Sequence, residues 1–243
     1  MSIRSSRDNF SIWTIAALCG AALCGLLVMG AVGCGGGEEA PEPATGEPAV
    51  PPLAPALLDP NLATEKAPEL FKVKLETTEG DIVVEAHREW APNGVDRFYN
   101  LVKIGYYTDV AFYRVLEHMA YSGIHGDLRV TKAWGRATIQ DDPVMESNVE
   151  GMVTFGKAKG PNSRTTQFFI NYKDNSHLDK DGYAPFAKVI EGMDVAKNLY
   201  SGYEQGSQKG KGPDPRELQT LGNAYLKSNF PELDYIKSAT LVP

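Results

Sequence analysis

The sequence predicts a mainly β domain, built as a closed barrel or as an α+β sheet, behind an N-terminal stretch of different character. Three observations lead there. Short β-rich runs separated by glycine and proline breaks recur from Phe71 to Val242. Only two stretches carry an apolar period of helical spacing. The composition also shifts abruptly at Gly35, where glycine, proline and glutamate take over from an apolar run. Short strands with two helices suit both architectures, and pattern alone leaves the two open.

The elements follow in order. Val73, Leu75 and Thr77 alternate with Lys72, Lys74 and Glu76, and after Thr78-Glu79-Gly80-Asp81 comes a second β-rich run, Ile82 to Ala86. This reads as a hairpin. From Pro92 the period changes: Val95, Phe98, Leu101 and Val102 share one helical face, which Gly105 can end. Further β-like runs are Val110 to Leu116, Gly151 to Phe155, Gln167 to Asn171, Ala184 to Val189 and Tyr235 to Val242. A second helix, about Met193 to Tyr200, follows the break at Glu191-Gly192.

The 243 residues allow one sizeable domain with accessory segments, or at most two small domains. A hydrophobic share of 42% and a charged share of 23% are ordinary for a globular protein. The net charge of −7 and the lack of a basic cluster interleaved with aromatics exclude a nucleic-acid partner. All three cysteines, Cys19, Cys24 and Cys34, precede residue 35. A disulfide framework in the rest of the chain is therefore excluded, which suits an exported domain.

Arg4 and Arg7 open a polar start, an apolar run extends from Ile12 to Val32, and small residues close it at Ala31-Val32-Gly33-Cys34. That order describes a secretory signal over residues 1–33. The tetrapeptide resembles a bacterial lipobox, which implies a lipid on Cys34 and a membrane-anchored lipoprotein. An uncleaved signal anchor or a cleaved soluble form are the other readings, the first because the apolar run is long enough to span a bilayer. With Arg4 and Arg7 on the inner side, both membrane-bound forms place the domain outside the cytoplasm, in the periplasm or cell envelope. Residues 34–70 read as a disordered or polyproline tether, holding eight of the sixteen prolines between Gly35 and Pro68. At about 3.1 Å per residue it reaches on the order of 100 Å. A proline-rich ligand for a partner domain is the alternative for this stretch. The folded domain is assigned to 71–243.

Thr77-Thr-Glu-Gly-Asp-Ile, Asn100-Leu-Val-Lys-Ile-Gly-Tyr-Tyr, Phe112-Tyr-Arg-Val-Leu, Gly160-Pro-Asn-Ser-Arg-Thr-Thr-Gln-Phe-Phe, Leu178-Asp and Phe186-Ala-Lys-Val-Ile-Glu-Gly-Met-Asp-Val occur in that order. In order and spacing they resemble the bacterial cyclophilins, peptidyl-prolyl cis-trans isomerases. The resemblance implies a closed eight-stranded antiparallel barrel capped by two α-helices. It also implies an isomerase acting on unfolded or flexible proline-containing polypeptides, here exported ones, with no cofactor and no metal. By the same resemblance Arg114 is the catalytic arginine, Gln167 hydrogen-bonds the substrate backbone and Phe169 walls the proline pocket. Met119 and Leu178 complete the apolar lining, Tyr183 stands near the family's pocket histidine, and Gly156 aligns where backbone holds the peptide.

The chain departs from the family in four places, one of them the pocket phenylalanine after the arginine, which is replaced or shifted in Glu117-His-Met-Ala-Tyr-Ser. Anchoring on Gly123-Ile-His-Gly-Asp puts Tyr121 where the family has a glutamine; anchoring on Arg114 puts Ser122 there. His177 replaces a common tryptophan, and Tyr113 a histidine. A fold that binds proline peptides without turnover, or an envelope lipoprotein serving as an interaction platform, are the alternative functions. His87, His118, His125 and His177 lack metal-ligand spacing. Asp141-Asp142 reads as a turn before Pro143. Gly206-Ser-Gln-Lys-Gly-Lys-Gly lacks a phosphate-loop ending and reads as a flexible insertion.

Overall fold

The computed structural model describes residues 52–203 and 211–243. The expected export signal, Cys34, the expected tether up to residue 51 and, in the glycine-rich run 206–212, residues 206–210 lie outside them. Among the described residues no helix is long and apolar enough to cross a membrane.

The alternation in the first two runs gives the first hairpin. Strand β1 (Leu70–Thr77) pairs antiparallel with β2 (Asp81–His87), with Val73 opposite Val84 and Leu75 opposite Ile82. These four side chains are buried, and the residues between them face outward. The helical period gives α2 (Pro92–Lys103), which follows a short N-terminal helix α1 (Pro55–Leu58). It buries Val95, Phe98, Leu101 and Val102 and ends at Gly105, whose φ of +73 favours glycine.

Next come β3 (Val110–Ala111), β4 (Arg114–Val115), β5 (Met119–Ser122) and α3 (Leu128–Trp134). Then β6 (Met152–Phe155), β7 (Phe168–Asn171), a 3-10 turn (Ser176–Asp181), β8 (Pro185–Glu191) and α4 (Met193–Asn198) follow. The chain closes with α5 (Pro215–Leu221), α6 (Asn223–Asn229) and β9 (Tyr235–Val242). One curled antiparallel sheet runs β3-β9-β1-β2-β8-β6-β7-β5-β4. Its two ends are successive pieces of one run, Val110 to Val115, of which the first pairs with β9 and the second with β5. The sheet has nine strands among the described residues where eight were expected, because Phe112-Tyr113 interrupts that run. Phe98, Phe155, Phe168 and Phe186 fill the interior.

Three further expectations need correction. Helices α1, α3, α5 and α6 join the two that were read; at four to seven residues each they are too short to show a period. The tether does not extend to residue 70. Leu57 and Ala67 are buried in the core, Trp134 Nε1 donates to the Leu57 carbonyl at 3.1 Å, and Asn100 exchanges two hydrogen bonds with the Glu65 backbone. Prolines 55 and 60 open helical turns here, where a fixed φ is an advantage, instead of extending the chain. Beyond the glycine-rich run, whose reading as a flexible insertion falls largely outside the described residues, α5 and α6 bury Leu218 and Leu226. Asp142, read as part of a turn, is 5% exposed and pairs with Arg164, itself 1% exposed, at 3.0 Å. Its carboxylate also accepts from the Asn93 and Gly94 amides, capping α2, whose preceding Ala91 has no side chain to do so.

Candidate active site

Side chains alternate across a strand, so β4, β5 and β7 each send one set inward and one outward. Val115, Ala120, Phe168 and Ile170 enter the main core. Met119 and Phe169 join Leu116 in a separate apolar cluster on the other face, flanked by Tyr121, Leu178 and Tyr183. Phe169 is fully buried without belonging to the main core.

The register places Tyr121 opposite Phe169 on one side and opposite Arg114 on the other. Ser122 points inward, where its hydroxyl donates to the Ala111 carbonyl at 3.0 Å. Tyr121 is therefore the residue that faces Arg114. Its ring lies 5.1 Å from that of Phe169 and carries the Arg114 guanidinium 5.4 Å above its centroid. Such a contact contributes about 0.5–2 kcal/mol, more as the site dries.

Arg114 is half-buried, and its Nε is buried with no hydrogen-bond partner. Among the described residues it pairs with no carboxylate. An unsatisfied buried donor costs about 1–3 kcal/mol, so this one stands ready for an acceptor that enters the groove. Gln167 stands two residues before Phe169, and its Oε1 accepts from the Tyr113 hydroxyl at 2.8 Å. Gly123 makes this approach possible. At its φ of +99 a side chain would be strained, and a Cβ would run into the Thr166 carbonyl. The Gly156 amide donates to the Gln167 carbonyl at 2.9 Å, which fixes the other edge of the groove.

Arg114, Gln167, Phe169, Met119, Tyr121, Leu178, Tyr183 and Gly156 thus come together. His177 does not join them: its side chain is exposed on the 3-10 turn and makes no ring stacking among the described residues. Tyr113 and Leu116 also belong to the site, and their nearness to Arg114 in the chain is the available signal for them. Burial, then the Arg114 and His177 charges, lowers the His118 pKa. Burial raises the Tyr121 hydroxyl, partly offset by Arg114, and burial also raises Tyr113 and Tyr183. These tyrosines are neutral hydrogen-bonding groups at ordinary pH. The other histidines have local partners: His87 stacks on Trp90 at 3.9 Å, and His125 Nδ1 accepts from the Asp127 amide.

The site therefore sets an apolar cluster, a guanidinium and a side-chain amide beside one another on one face of the sheet. Residues 72–216 match the family model for cyclophilin-type peptidyl-prolyl cis-trans isomerases. A peptidyl-prolyl cis-trans isomerase of Acinetobacter baylyi is 31% identical over 132 residues, covering 52% of this chain and 70% of that protein. One from Streptomyces antibioticus is 33% identical over 164 residues, 63% of this chain and 97% of the other. The chain spans a far smaller part, 21%, of the 38% identical isomerase-like 2 protein of Neurospora crassa. A crystal structure of a Cryptosporidium parvum cyclophilin-type isomerase, obtained in the presence of the dipeptide Ala-Pro, superposes with a TM-score of 0.51. At 21% identity, covering 71% of this chain and 99% of that one, it shares the fold.

Proposed function

This chain belongs to the family of cyclophilin-type peptidyl-prolyl cis-trans isomerases, and on that premise we propose that its groove isomerises X-Pro bonds, with Arg114 as the catalytic residue. The observation that carries this reading is the buried, unpartnered Nε of Arg114 beside the Leu116–Met119–Phe169 cluster. Rotation about the bond has a barrier of roughly 18–20 kcal/mol because amide resonance is lost in the twisted state. No covalent bond forms or breaks. As the prolyl nitrogen loses conjugation its lone pair becomes an acceptor, and a guanidinium donor held nearby stabilises that state over the planar one. The proline ring sits against Phe169, Met119 and Leu178, while Gln167 and the Gly156 edge hold the flanking backbone. A reduction of about 7 kcal/mol in the barrier corresponds to roughly 10⁵-fold acceleration.

The test is isomerisation of a proline-containing test peptide by the full-length chain. Arg114→Ala lowers kcat/KM by about 10²–10³, and Arg114→Lys restores only part, since an ammonium lacks the planar fork. An Arg114→Ala variant as fast as wild type refutes the assignment. The Tyr121 ring covering one face of Arg114 favours a second reading, a proline-peptide binding module; a wild type that binds such peptides without accelerating them selects it.

The Ala31-Val32-Gly33-Cys34 sequence supports lipid attachment at Cys34, and with it an extracytoplasmic location and exported, unfolded proteins as clients. Cys34→Ala abolishes metabolic lipid labelling if this is right. Wild-type protein that retains Met1 and carries no lipid sinks the idea.

A further inference from the structure

We propose that Tyr113 is a positioning residue for Gln167, holding its side-chain amide where a bound peptide meets it. The inference rests on the reading of the groove as a proline-peptide site. Phe112 enters the main core, whereas Tyr113 joins a second apolar cluster with Ile124 and with Leu218, Leu226 and Phe230 of the helical insertion. Its ring is 3% exposed.

The insertion behind the ring is itself held in place. Asp214 caps α5 by accepting from the Arg216 amide at 2.8 Å. Asn223 donates through its side-chain amide to the Asp109 carbonyl at 2.8 Å and through its backbone to Gly126 at 3.0 Å. Lys227 pairs with the Asp109 carboxylate at 3.0 Å. With the ring fixed, the position of the Tyr113 hydroxyl is fixed too, and it donates to Gln167 Oε1 at 2.8 Å.

A glutamine amide can turn over with almost no change of shape, exchanging its acceptor for its two donors. A hydroxyl can meet either orientation, as donor to Oε1 or as acceptor from Nε2, so what Tyr113 fixes is the place of the amide. In the arrangement found, Tyr113 engages Oε1 and leaves the two Nε2 hydrogens to recognise a backbone carbonyl of the bound peptide. A phenylalanine at 113 keeps the packing and releases the amide, so Gln167 spreads over several rotamers and only part of its population meets the peptide.

The experiment uses the full-length chain solubilised in mild detergent, with Tyr113→Phe, Gln167→Ala and the double variant. Affinity for a fluorescent proline-containing tetrapeptide is read by anisotropy, and folding by circular dichroism melts. Tyr113→Phe is expected to weaken binding about fivefold, within the range for one neutral hydrogen bond. The double variant is expected to bind no worse than Gln167→Ala alone, because the two act as one unit. In turnover the loss appears as a raised KM with kcat unchanged. Unchanged affinity for Tyr113→Phe overturns the inference, as does a full fivefold further loss in the Gln167→Ala background. A wild-type chain that binds no proline peptide overturns the groove reading and this inference with it. A wild type that binds, with Tyr113→Phe equal to it, removes this inference alone.

Discussion

Asp142→Ala is expected to lower the stability of the domain by about 4 kcal/mol. One carboxylate does two jobs here. Its Oδ1 accepts from the Asn93 amide at 3.0 Å and from the Asn93 side chain at 2.9 Å, and its Oδ2 from the Gly94 amide at 2.9 Å and Arg164 Nη1 at 3.0 Å. Removing one member of a buried pair costs about 3–5 kcal/mol, mainly because the other charge is left uncompensated. Loss of a helix cap costs about 1 kcal/mol. The sum is trimmed because Asp141 Oδ1 lies 3.3 Å from Arg164 Nε and can take up part of the charge. Asp142→Asn, which keeps an acceptor for the cap, should lose about half as much. A double change, Asp142→Ala with Arg164→Met, should recover stability relative to Asp142→Ala, since no charge is then stranded. Urea unfolding followed by tryptophan fluorescence gives these differences directly. The consequence reaches the groove, because Arg164 also donates to the Gln140 carbonyl and so pins the loop that leads into Gln167. Peptide affinity should therefore fall along with stability. A loss below about 1 kcal/mol for Asp142→Ala would refute the reasoning, as would a double variant no better than the single one.

Two further predictions concern other parts of the fold. Leu57→Ala is expected to cost about 2–3 kcal/mol, since Leu57 is 8% exposed in the core, and a chain starting at Phe71 should melt below one starting at Pro52; equal melting temperatures refute a structural role for residues 52–70. Burial above all lowers the His125 pKa, and protonation would break the bond its Nδ1 accepts from the Asp127 amide. The unfolded chain takes up that proton at about 6.5 and the folded one only at lower pH, so stability falls as pH drops below about 6.5. His125→Gln should flatten the slope of melting temperature against pH in that range, and an unchanged slope assigns the acid sensitivity elsewhere.

What the sequence reveals about this fold depends on the length scale of each cause. The first hairpin, α2, β8 and β9 are legible because each carries several periods of its own pattern. Strand β5 is not: Met119–Ser122 is four residues long, buried on both faces apart from Tyr121, and has no alternation to read. The choice between Tyr121 and Ser122 beside Arg114 was undecidable for a related reason. A one-residue slip exchanges the two faces of a strand, and only the pairing with β4 and β7 fixes which residue faces out. Residues 52–70 misled because their proline content matches a tether, while their fixation depends on Trp134 and Asn100, far along the chain. Tyr113 could be seen only as a departure from a family pattern. Its partner Gln167 and the helices behind it lie 54 or more residues away.

The groove uses the faces of strands whose other faces build the core, and this sets which substitutions separate activity from stability. Arg114 and Gln167 are half-buried, and their side chains lie outside the apolar clusters. Changes there should alter binding or turnover at little structural cost. Phe169 cannot be treated in this way. It is fully buried, lies across from Tyr121 and next to Tyr183, and follows Phe168, a core residue, in the same strand. Truncating it empties the floor of the pocket and removes packing worth about 3–5 kcal/mol. A loss of activity in Phe169→Ala would therefore say nothing by itself about proline recognition, because part of the chain would be unfolded. The informative change is one that keeps the volume, Phe169→Leu, read as peptide affinity at matched folding. If the ring makes the wall against which proline seats, affinity falls while the melting temperature moves little. If Phe169 is only packing, the two fall together.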